Sequence, residues 1–136
     1  MHLAIVLFSL SVQPVAASSY ACSLTMDCGG LLCADRTAKA WASTDGRERD
    51  PSAVWTIKLA GTHQNPDWLD REEAAERVFD GQQVTNWQDM SIRFGDSRTV
   101  GTLSFDYGGK AALSLHVASS DRAYFEHFTG FCEVQH

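Results

Sequence analysis

The 136-residue chain is short of positive charge, short of long apolar runs, and without the usual catalytic signatures. Lysine and arginine number 11 against 17 aspartates and glutamates, a formal net charge of −6. The summed field therefore repels nucleic acid and anionic lipid at long range. Beyond residue 17 no run reaches the roughly 18 to 20 apolar residues that a membrane-spanning helix needs. No segment is low in complexity and no fixed period repeats, which excludes solenoid and propeller arrays. A Gly-x-Ser-x-Gly elbow and a His-Glu-x-x-His pair are both missing, and His63, His116, His127 and His136 show no close metal-ligand spacing. No catalytic, metal or cofactor site is expected from these patterns. A site gathered across strands from His116, His127 and Asp106 is conceivable without positive support. The carboxylates Asp89, Asp96, Asp106 and Glu126 could supply an acid and base pair, but in so acidic a chain such groups are mostly solvated.

What is present begins at the N-terminus. Leu3 to Val12 is an apolar run of signal-peptide length, followed by the small residues Ala16-Ala17-Ser18-Ser19. Val15 and Ala17 fit positions −3 and −1 of a cleavage site, so residues 1–17 are expected to be a signal peptide and residues 18–136 one mature domain. The expected location is the periplasm or the exterior, with no stable membrane span in the mature form.

Export makes disulfides the expected state of the four cysteines, Cys22, Cys28, Cys33 and Cys132. Their spacings lack the paired C-x2-C knuckles of a structural zinc site. Four cysteines allow three pairings. The arrangement expected is Cys22 with Cys132 and Cys28 with Cys33, the second loop turning at Gly29-Gly30.

Period-two alternation dominates the rest. Trp55, Ile57 and Leu59 alternate against Val54, Thr56 and Lys58, and Met90, Ile92 and Phe94 against Ser91 and Arg93. Leu103, Phe105 and Tyr107 lead into a two-residue Gly108-Gly109 turn, expected to take positive φ at both glycines. Ala111, Leu113, Leu115 and Val117 return, and a further strand runs from Ala123 to Val134. Between Asn65 and Phe79, Asp70-Arg71-Glu72-Glu73 resembles a capping box, and Trp68, Ala75, Val78 and Phe79 share roughly one helical face. The pattern as a whole predicts an all-β fold of six to eight strands, a small antiparallel barrel or sandwich with one short helix, preceded by a signal-peptide helix.

On the last strand Tyr124 and Phe128 share one face, and Phe125 and Phe131 the other. One pair near solvent would mark a contact site. The expected contact surface is the loop around Lys110 with the face bearing Tyr124 and Phe128, since Lys110 is an isolated positive charge at a hairpin tip of an acidic protein.

The order of leader, Cys22-x5-Cys28-x4-Cys33, Gly109-Lys110-Ala111-Ala112-Leu113-Ser114-Leu115 and Phe128-Thr129-Gly130-Phe131-Cys132-Glu133-Val134 resembles small exported alphaproteobacterial proteins of unknown function. That resemblance implies export and a disulfide-tied β fold. Gly108-Gly109-Lys110-Ala111-Ala112-Leu113 with Cys132 is more distantly similar to the β-barrel inhibitors of C-type lysozyme, whose Ser-Gly-x-x-Tyr element has no counterpart here. Together these features predict a non-catalytic binding or interaction module, an inhibitor among the forms it could take, with an envelope or host protein as partner and no nucleic acid. The alternative is a small envelope or extracellular hydrolase or lyase with its site assembled across strands.

Overall fold

The computed structural model describes residues 18–26, 37–47, 50–62, 77–85, 89–118 and 123–135, apart from the side chains of Thr85 and Tyr124. Eight strands follow one another: β1 (Ser18–Met26), β2 (Thr37–Thr44), β3 (Val54–Ala60), β4 (Arg77–Thr85), β5 (Asp89–Gly95), β6 (Thr99–Asp106), β7 (Lys110–Ala118) and β8 (Ala123–Val134). Each pairs antiparallel with the next, and β8 returns to pair with β1, closing a barrel. Of the barrel and the sandwich that the sequence left open, the barrel is therefore the outcome.

Among the described residues there is no helix. The helix expected near 65–79 is overturned at its end, where Val78 and Phe79 lie in β4. Val78 is exposed and Phe79 buried, the period-two outcome that a sheet neighbour on each side imposes. Residues 63–76, and the leader at 1–17, lie outside the described residues, as do Cys28 and Cys33.

The wall alternates strictly. Inward positions carry Leu24, Trp55, Ile57, Leu59, Phe79, Ile92, Phe94, Leu103, Phe105, Leu113, Leu115 and Phe128, all buried in one contiguous core. Outward positions are mostly Ser, Thr, Lys, Arg, Asp and Gln, the reverse of a membrane-spanning barrel, whose apolar band faces out. Large and small residues alternate around one interior layer. Trp55, Gly81, Phe94, Gly101 and Leu115 are successive cross-strand partners from β3 to β7. The ring of Phe94 lies so close over Gly101 that a Cβ there would clash with its Cζ. Glycine thus makes room for a bulky neighbour in a barrel too narrow for large residues throughout.

Cys22 and Cys132 sit opposite each other in the β1–β8 register and form a disulfide, with Cα atoms 3.9 Å apart. The expected pairing of these two is correct. The bond staples the seam at which the barrel closes.

Candidate functional site

The β6–β7 connection differs from the expected two-residue turn. Phe105 faces Ala111 in the register, so Tyr107, Gly108 and Gly109 form a three-residue loop. Gly109 N–H donates to the Asp106 carbonyl at 3.0 Å, and only Gly109 of the pair has positive φ, at 87°. A tight turn closed by one left-handed glycine matches the twist of the flanking strands. The Lys110 N–H donates to Asp106 Oδ1 at 2.9 Å, and Cys132 N–H donates to the Gly109 carbonyl at 2.7 Å. A Cβ on Gly109 would lie 2.7 Å from the Cys132 carbonyl oxygen. The hairpin tip is thereby docked on β8 beside the disulfide.

At this end of the barrel Lys110 faces Phe131 across β7 and β8. Tyr107 is 76% exposed and Phe131 59%. Asp89 and Asp106 are direct cross-strand neighbours, and Glu133 is exposed two positions beyond Phe131. An open groove of about 260 Å³ runs past Asp89, Ser104, Asp106, Lys110 and Ala112. The tip therefore combines exposed aromatic surface, one lysine and a rim of carboxylates.

Of the expected contact residues, Lys110 is exposed as placed. Phe128 is not: it is fully buried, facing Leu113 in the core, and this corrects its assignment to the contact surface. The side chain of Tyr124 lies outside the described residues. The exposed pair on β8 is Phe125 and Phe131.

The candidate chemical groups do not converge. Glu126 is buried and inward, near the end of the barrel remote from Asp89 and Asp106. Asp96 lies in the β5–β6 turn, where Oδ1 accepts the N–H of Arg98 and of Thr99, both at 2.8 Å, and Oδ2 meets Arg77 at 2.7 Å. These contacts, the Arg98 N–H foremost, hold its carboxyl below the ordinary aspartate value against a smaller opposing push from burial. His116 and His127 stand on the outer wall, not in a cleft. Ser114 Oγ and His127 Nδ1 are 2.9 Å apart, a nucleophile-and-base spacing, yet no carboxylate pairs with His127 among the described residues. No group of three metal-ligating side chains occurs among them either. His63, His136, Trp68 and Trp87 lie outside the described residues.

Comparison adds no relative. No protein-family model, curated protein or solved structure matches the chain.

The indole of Trp55 is fully buried and its Nε1–H has no hydrogen-bond partner among the described residues. Trp41, by contrast, is half-buried on the outside with Lys58 Nζ 4.5 Å from its ring centre, a cation–π contact. Sequence reasoning missed Phe131 and Tyr107 as surface residues. The parity of Cys132 was the available signal for Phe131, because cysteine is among the residues most often buried and Phe131, its neighbour, then faces out.

Proposed function

We propose that the protein is an exported, non-catalytic binding module that engages a partner protein through the β6–β7 hairpin end. The observation that carries this reading is the exposed set Tyr107, Lys110 and Phe131 on a barrel whose interior is packed with apolar side chains. A packed interior directs binding to the outside, and exposed aromatic rings are what protein interfaces are enriched in. The Cys22–Cys132 disulfide is compatible with an oxidising, exported location.

The partner class this reading favours is a basic secreted enzyme, with lysozyme the first to test. Two features support it: the similarity of the Gly108 to Leu113 stretch to C-type lysozyme inhibitors, and the carboxylates Asp89, Asp106 and Glu133 around the tip of an acidic protein. Opposite charge speeds encounter, while Lys110 and Phe131 would supply the specific contacts.

The test is titration of lysozyme activity and calorimetric binding near 0.15 M salt, where screening acts beyond about 8 Å. The expected result is inhibition with saturable binding that a Lys110→Ala, Phe131→Ser variant weakens about thirtyfold or more, a loss of the size of one interface hot spot. Absence of binding, or binding equal in parent and variant, overturns the reading.

A further inference from the structure

The opposite end of the same wall carries a different chemistry. The outward side chains of β5 to β8 there fall in two adjacent cross-strand rows. Arg93, Thr102, Ser114 and His127 are successive partners in one. Gly95, Val100, His116 and Phe125 are successive partners in the other. Phe125 is 62% exposed and Val100 55%. The Phe125 ring lies 4.8 Å from that of His116 and is nearly parallel to that of His127, at 7° and 6.4 Å. Neither row holds a carboxylate, although the chain as a whole is acidic. Arg93 is exposed and forms no ion pair among the described residues. Among the described residues the flanking acids are Asp80, exposed on β4, and Asp96, whose oxygens are taken by Arg77, Arg98 and Thr99.

We infer that this face is a binding site for an acidic polysaccharide, one bearing carboxylate groups. An exposed aromatic ring offers a flat apolar face on which the C–H face of a sugar ring can stack. The Arg93 guanidinium presents a planar fork matched to a carboxylate. Thr102, Ser114 and the two imidazoles supply short hydrogen-bonding groups between them, suited to sugar hydroxyls. The three interstrand steps from Arg93 to His127 span about 14 Å, room for several sugar rings lying across the strands. An acidic peptide is the less suited occupant. A closed barrel has no free strand edge for a peptide to extend, and the face is a wall, not a groove lined for side chains.

This site is separate from the hairpin end. Phe125 and Phe131 are six positions apart on β8, about 20 Å along the strand. The two readings can therefore fail independently, and Lys110→Ala should leave polysaccharide binding unchanged.

The experiment is affinity electrophoresis and calorimetry of the full mature protein with polygalacturonate, with dextran as the neutral polysaccharide and polyglutamate as the acidic peptide, near 0.15 M salt. Polygalacturonate should bind, with dextran and polyglutamate at least tenfold weaker. Arg93→Gln and Phe125→Ser should each weaken polygalacturonate binding about tenfold, the loss expected for one charge-assisted contact or one stacking platform. Both are outward substitutions on different strands, and retention of the barrel is checked by circular dichroism. If one variant misfolds, the other together with His116→Gln decides. No binding, polyglutamate binding as tight as polygalacturonate, or folded variants that bind like the parent would each overturn the assignment.

Discussion

Phe128 and Phe131 lie three positions apart on one strand, and that odd separation decides their roles. Phe128 is fully buried against Leu113, whereas Phe131 is exposed beside Lys110. Truncating the first removes a filled volume from a close-packed core; truncating the second removes surface. Phe128→Ala is therefore expected to cost about 3–5 kcal/mol, and Phe131→Ser about 0.5 kcal/mol or less. Urea unfolding midpoints of the two variants at constant m check this. Similar losses would mean that the register of β8 is not the one described. Alternation alone separates Tyr124 and Phe128 from Phe125 and Phe131, but it does not say which set faces inward when both are aromatic. The residues that decide it are Gly130 and Cys132, both of Phe128 parity; Glu126 shares that parity and is itself buried, although its charge alone argues for the outer face. Gly130 in particular lets β1 approach, since a Cβ there would meet the Ser23 carbonyl oxygen.

At the scale of elements, strands with one apolar face were legible, and turns and edges were not. β3, β5, β6, β7 and β8 follow from alternation of large apolar residues. β2 is harder to read because its inward residues are Ala38, Ala40, Ala42 and Thr44, too small to stand out as a hydrophobic face. β4 was obscured because its first residues also fit a helical face, and a helix period and a strand period are indistinguishable over two or three residues. The β5–β6 turn shows how a polar residue ends a strand. Asp96 N–H donates to the Thr99 carbonyl at 2.8 Å while the Asp96 carboxylate accepts from Arg98 and Thr99, so one aspartate satisfies the turn from both sides. Its folded carboxyl is held below the ordinary value. A depressed folded pKa contributes stability that is full above the unfolded value and is lost as pH falls through the folded one. The parent should lose stability below about pH 4 more steeply than Asp96→Asn, with the two curves parallel above about pH 5. Denaturant midpoints between about pH 7 and 2 measure it, and identical slopes would show that the carboxylate charge adds nothing in this turn.

On the scale of the whole molecule, the fold is a chain of local hairpins with one exception. Among the described residues seven of the eight strand pairings join consecutive strands, and only β1 with β8 joins distant ones. Closing that seam carries most of the loop entropy, and the disulfide between Cys22 and Cys132, 110 residues apart, acts there. The loop-entropy relation puts the stabilisation near 4.7 kcal/mol for a loop of about 100 residues and near 3 kcal/mol for one of about 15. Cysteine spacing left three pairings open; the barrel topology explains this one, because residues 22 and 132 become cross-strand neighbours only when the sheet closes. A circular permutant should separate the entropic role from local packing. Joining Val134 to Ser18 by a short linker and opening the chain between Pro51 and Ser52, both exposed, makes the seam a local hairpin while leaving Cys22 and Cys132 in place. A Cys22→Ser, Cys132→Ser double variant should then lose about 1.7 kcal/mol less in the permuted chain than in the natural order. Calorimetric or denaturant unfolding of the four proteins gives the two differences. Equal losses in both frames would show that the bond stabilises the barrel through contacts around the sulfurs, with chain closure contributing nothing.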